Sequence, residues 1–132
     1  MARAFKFSNA RLAARMSLLN TWLENGIIDV YSAPKPVTPD AGEGTAVLLG
    51  TLRFKSPAGV VSNGGIVATV PDIALVIASG DAVWARVRDQ YAVVIADTDV
   101  GITGTGQGLE LSNVSLLLGG NLYPTAFSLL EL

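Results

Sequence analysis

The chain of 132 residues contains no histidine and no cysteine. Those absences remove the commonest general base near neutral pH, the commonest imidazole metal ligand and the thiol nucleophile, so most hydrolase, oxidoreductase and zinc-site chemistries lose their central residue. A disulfide framework is excluded as well, which sets the chain apart from small secreted scaffolds and fits a cytosolic or virion protein. Charge is scarce: 15% of the residues are charged, against about 25% in an average soluble domain. Eleven acids against nine bases leave a formal net charge of -2. With no global positive field to hold a phosphate backbone, no specific nucleic-acid partner is expected. The apolar runs at 73–78 and 92–96 fall far short of the roughly 18 residues a membrane-spanning helix needs, so no membrane partner is expected either.

Apolar surface is what the chain has in quantity, since half of its residues are hydrophobic. A single domain over 1–132 would bury roughly two-thirds of its unfolded surface, and apolar surface left over points to a partner. Ser8 or Asn9 can cap a helix in which Leu12, Met16, Leu19 and Leu23 form one stripe, and Asn25-Gly26 supplies a left-handed stop, so a helix is expected over 9–25. Leu18 and Trp22 widen its apolar face, and Arg11, Arg15, Asn20 and Glu24 keep the remainder polar. Ahead of it, an arm over 1–8 carries Arg3 and Lys6 beside Phe5 and Phe7, while every carboxylate lies from Glu24 onward. The basic start reads first as a solvated arm and helix face, next as a contact for an acidic partner surface, and last as a local nucleic-acid contact. With little of its own to pack on, the arm over 2–7 is expected to order only against a neighbour.

After Gly26 the apolar period becomes two. Strands are expected at 27–31, 46–54, 65–70, 73–78, 82–88, 91–96, 109–117 and 122–130, separated by Gly, Pro, Asn and Asp clusters. About eight short strands with one helix predict an all-β fold, or α+β by strict count: an antiparallel, jelly-roll-like β-sandwich. The loop over 32–44, with Pro34, Lys35, Pro36 and Pro39, is long for a compact domain and reads as a reaching element. On the strand at 82–88, Trp84, Arg86 and Arg88 share one face, as stacked structure or as a contact patch.

Two motifs touch on chemistry without completing it. Asp97-Thr98-Asp99-Val100-Gly101 opens like some calcium loops but lacks the later bidentate Glu, and reads as a polar strand end turning into a glycine loop. The same two carboxylates are a weak match to a hydrolytic acid/base pair. Gly104-Thr105-Gly106-Gln107-Gly108 lacks the Lys-Ser/Thr of a phosphate-binding loop and precedes a strand, so it reads as a hairpin connection. No catalytic residue, metal or cofactor is expected.

The order of features resembles a family of small tailed-bacteriophage proteins. The resemblance rests on the helix ending in Trp22-Leu23-Glu24-Asn25-Gly26 and the strand Ile28-Asp29-Val30-Tyr31-Ser32 running into a Pro-rich loop. It extends to Trp84-x-Arg86-Val87-x-Asp89 followed by Ala96-Asp97-x-x-Val100-Gly101. Ala92-Val93-Val94 stands where that pattern has a glycine-bearing turn. The resemblance implies a non-enzymatic virion structural protein, a capsid cement or decoration protein on the capsid surface, partnered by the major capsid protein and by copies of itself in a homo-oligomer. Candidate contact residues are Arg3, Phe5, Lys6, Phe7, Arg11 and Arg15 on the arm and helix, with Pro34, Lys35, Pro36 and Pro39 on the loop. The alternative is a tail- or fibre-associated sandwich that binds carbohydrate or a host surface.

Overall fold

Ser8 opens helix α1 (Asn9–Leu23), its hydroxyl accepting a hydrogen bond from the Arg11 N–H at 3.4 Å and so satisfying one of the donors a helix start leaves unpaired. The computed structural model describes residues 8–62 and 65–130; the candidate contacts Arg3, Phe5, Lys6 and Phe7 lie outside the described residues. Glu24 closes the helix and Asn25 turns left-handed at φ 59°, so the helix stops two residues before the expected end. Of the stripe, Met16 and Leu23 are buried, and Leu12 and Leu19 partly so.

The remaining described residues include the strands β1 (Ile27–Tyr31), β2 (Leu48–Arg53), β3 (Gly59–Ser62), β4 (Gly65–Ala68), β5 (Ala74–Leu75) and β6 (Gly80–Asp81), then β7 (Trp84–Arg88), β8 (Val94–Ile102), β9 (Leu109–Leu111), β10 (Ser115–Leu116), β11 (Asn121–Leu122) and β12 (Pro124–Leu130), with turns and loops between them. Eight make one curled sheet in the order β2-β1-β7-β8-β9-β12-β4-β3, with β10-β6 and β11-β5 as two-stranded ribbons. Among the described residues the fold is therefore mostly β, with one helix, α1, ahead of the strands. Its curl makes it sandwich-like. Ile28, Val30, Leu52, Ala85 and Val87 from one end of the sheet share a core with Ile66, Leu109, Leu111 and Phe127 from the other. Phe54, just after β2, meets Phe127 edge-on with ring centroids 5.4 Å apart.

One pairing departs from the antiparallel expectation: β8 and β9 run parallel, with Val100, Gly101 and Ile102 opposite Leu109, Glu110 and Leu111. Parallel neighbours ordinarily need a crossover of about a dozen residues or more. Here the link over 103–108 folds back on itself. Thr105 N–H bonds to the Ile102 carbonyl at 3.1 Å, and Gly104 and Gly106 adopt φ of 90° and 79°. The Glu110 carboxylate accepts from the N–H groups of Gly104 and Gly106 at 3.3 and 2.7 Å. The glycine motif is thus a return arch rather than a hairpin connection. At its end a Cβ on Gly108 would overlap the Thr98 hydroxyl.

Other boundaries move for local reasons. Asp89 Oδ1 accepts from Tyr91 and Val93 N–H at 2.8 and 3.0 Å, making 89–93 a turn, so the strand expected from 91 starts at Val94. Asn113 Oδ1 accepts from Ser115 N–H at 3.0 Å, a side-chain turn that splits the strand expected over 109–117. Val76 gives its backbone to the turn at Gly119 and Gly120, which shortens the strand expected over 73–78 to two residues. β3 was not foreseen at all. Its edge is closed by the helix: Asn20 Nδ2 donates to the Gly59 carbonyl at 3.2 Å, and Ala58 N–H donates to Glu24 Oε1 at 2.7 Å. At the other edge, Ile77 N–H donates to Leu49 O at 2.8 Å.

Candidate functional site

The face of β1, β7 and β8 turned away from the core is where the aromatic and charged residues of the sequence motifs meet. Register places Tyr31 opposite Trp84, Asp29 opposite Arg86, and Arg86 opposite Asp97. Tyr31 and Trp84 stack at 4.5 Å with 13° between their planes, and the Arg86 guanidinium sits 5.2 Å from the Trp84 ring centre. Arg86 grips Asp97 with two bonds, Nε to Oδ1 at 2.7 Å and an Nη to Oδ2 at 3.0 Å. Beside it, Asp29 accepts from Arg88 Nε at 3.0 Å and from Thr51 Oγ1 at 2.8 Å.

This face is buried. Trp84 has no exposed surface and Arg86 only 2%. The segment after β1 fastens onto the face: Trp84 Nε1 donates to the Ser32 carbonyl at 2.8 Å, and Lys35 Nζ reaches Asp99 Oδ1 at 2.8 Å. Hydrogen bonding to Asp97 raises Arg86 above the ordinary arginine value. Burial pushes the Tyr31 phenol up, with help from the Asp29 and Glu43 charges and against the Arg88 hydrogen bond.

The motif readings resolve accordingly. Asp97 and Asp99 lie within β8 rather than at a strand end, and each is engaged by a cation, Arg86 and Lys35 respectively. Neither is poised as an acid/base pair. Among the described residues no three of His, Cys, Asp and Glu come together as a metal-binding group. Trp84 and Arg86 are stacked structure, not an outward patch. Of the loop residues proposed for contact, Lys35 is tied to Asp99, Pro34 and Pro39 are exposed, and Pro36 is partly covered. Arg11 and Arg15 are exposed on α1. Ala92, where a glycine was expected, sits in the left-handed region at φ 66°.

Two apolar surfaces escaped the sequence reading. The first is a groove of about 610 Å³ between α1 and the sheet, roofed by Met16, Leu18, Leu19 and Trp22 and floored by Thr98 and Leu129. Leu18 and Trp22 are about half exposed. Their position off the buried stripe was the available signal. The second is a ridge made by two hydrogen-bonded segments. Val76 exchanges backbone bonds with the turn at Gly119 and Gly120, its N–H to Gly120 O at 2.9 Å and its O from Gly119 N–H at 3.0 Å. Leu75 and Ile77 flank Val76, and Leu117 and Leu118 precede the turn. All four are exposed, Leu117 at 72% and Leu118 at 68%. No charged residue occurs in 73–80 or in 111–130. Among the described residues no helix is long and apolar enough to cross a membrane.

No protein-family model matches the chain, and no curated protein or solved structure matches it significantly.

Proposed function

We propose that the chain is a non-enzymatic virion structural protein, a capsid cement or decoration protein that stabilises contacts between coat subunits. The observation that carries this reading is the ridge: four large apolar side chains, Leu75, Ile77, Leu117 and Leu118, stand in solvent on segments that carry no charge to keep them there. Burying a leucine fully is worth about 1.5–3 kcal/mol, so a few such side chains sealed against a coat subunit contribute substantially to a permanent contact. The rest of the molecule suits a rigid spacer. Its cationic side chains Arg86, Arg88 and Lys35 are committed to internal pairs, and the curled sheet has both edges engaged. The sequence resemblance to tailed-phage proteins supplies the setting, with the major capsid protein as partner.

Mass spectrometry of separated heads and tails from a purified virion tests the reading. Recovery with heads, lost when Leu117 and Leu118 are both changed to Ser, is the expected result. Recovery only with tails would replace it by the tail-module reading, and absence from virions would reject both.

A further inference from the structure

Strand β2 and the segment that opens β5 part company at one end. Leu49 O accepts from Ile77 N–H at 2.8 Å, Gly50 lies against the Leu75 carbonyl, and Lys55 Nζ reaches Asp72 Oδ1 at 3.2 Å. The two segments therefore run antiparallel, which sets Arg53 beside Ile73. Between them a pocket of about 400 Å³ opens, lined by Thr51, Arg53 and Lys55 on one side and by Asp72 and Ile73 on the other. Ile73 joins this pocket to the ridge: residues 73, 75 and 77 alternate with the buried Val76 and the half-buried Ala74, so Ile73, Leu75 and Ile77 share the outward face.

The charge at the pocket is unbalanced. Asp72 answers Lys55, but among the described residues no acid pairs with Arg53, which is exposed there. Arg86 and Arg88, the other arginines on strands, are committed to Asp97 and Asp29. A free guanidinium offers a planar fork of donors that a carboxylate matches with two bonds.

We infer that the ridge and this pocket are one composite docking face, and that its partner is an apolar coat-subunit segment carrying a carboxylate, which enters between Arg53 and Lys55 while the neighbouring apolar side chains cover Leu75, Ile77, Leu117 and Leu118. Charge complementarity selects this occupant. A wholly apolar segment would cover Arg53 and leave it unpaired. A second copy docked ridge to ridge would bring no carboxylate from 73–80 or 111–130 to answer Arg53. The apolar contacts hold the partner, and the charged end fixes its register.

This partner chemistry rests on the cement reading of the ridge, and one experiment separates the two. Virion heads stripped of the chain by dilute guanidinium are the probe, and rebinding of the purified chain is followed by co-sedimentation over a salt series. Parent binding should weaken as ionic strength rises. Arg53→Glu should weaken it by about tenfold or more at low salt, and Arg53→Gln should flatten its salt dependence. Leu117→Ser with Leu118→Ser should weaken binding at every salt concentration and leave the slope unchanged. Circular dichroism and melting of the Arg53 variants should match the parent, since Arg53 is exposed and unpaired. A carbodiimide, which condenses an amine with a carboxyl group and loses water, should join Lys55 to an acidic residue of the coat subunit, and Lys55→Arg should abolish that link. Failure of the parent to rebind would overturn the cement reading and this partner with it. Rebinding in which Arg53→Glu is as tight as the parent, or in which Lys55 forms no link to the coat, would overturn the carboxylate partner alone and leave the cement reading standing.

Discussion

The two most distinctive regions of the molecule invert the usual arrangement of polar and apolar groups. Beneath the segment after β1, Arg86, Asp97 and Asp29 are buried with Tyr31 and Trp84, whereas on the ridge Leu117 and Leu118 stand in water. Burying charges costs several kcal/mol per ion before pairing, so the first region persists because its bonds are complete: two between Arg86 and Asp97, two onto Asp29, one from Trp84 to Ser32. The ridge has no such internal account. The contrast separates groups held by the fold itself from groups that the fold leaves for something else.

Breaking the buried pair should have the largest effect. Arg86→Ala leaves Asp97 charged and unpartnered and is expected to destabilise the protein by about 3–5 kcal/mol, measured by urea unfolding. Arg86→Met combined with Asp97→Leu should recover most of that loss; if the single and double variants unfold alike, the cost lies in packing and not in the orphaned charge. Alkaline pH probes the same region. Because the folded Tyr31 phenol is raised above 10.0, its contribution is whole below pH 10.0 and is lost as pH climbs through the folded value. Tyr31→Phe should therefore melt with a shallower decline above pH 10.0 than the parent, and parallel alkaline limbs would contradict the burial of the phenol.

Ala92 sharpens the comparison from the other direction. Its carbonyl accepts from an Arg88 Nη at 3.3 Å while its backbone holds φ 66°, a conformation that costs a residue with a Cβ about 1–2 kcal/mol. Ala92→Gly should raise stability by up to about 1 kcal/mol once glycine's extra chain entropy is subtracted. Lys35→Ala should cost less than about 1 kcal/mol, since the Lys35–Asp99 pair is largely solvated and screened. A larger loss would mean that this pair anchors the whole segment. Smallest of all, Leu117→Ser or Leu118→Ser should leave unfolding free energy within about 0.5 kcal/mol of the parent. A cost of several kcal/mol would return the ridge to the core.

How much of this could be read from the sequence depended on whether the signal was local. Helix α1 was legible because Ser8, the leucine stripe and Asn25-Gly26 act within a few residues of one another. The shared face of Trp84, Arg86 and Arg88 followed from strand alternation alone. What covers that face did not, because Lys35 and Asp99 are 64 residues apart. β3 was missed because only Val60-Val61 stands between Gly59 and Ser62, too short a run to show a period. The groove was illegible for a deeper reason: it arises where β8 and β12 take different partners at their two ends, a property of sheet order that no window of sequence contains. The parallel β8–β9 join was hidden likewise, since six intervening residues normally signal a hairpin.

The unequal burial of Trp22 and Trp84 has an optical consequence. Trp84, sealed against Tyr31, should emit at short wavelength and resist acrylamide, while Trp22, 49% exposed at the groove, should emit further to the red and be quenched freely. The chain thus carries two internal reporters whose signals separate spectrally: one registers loss of the whole fold, the other anything that enters beneath the helix while the fold stays intact.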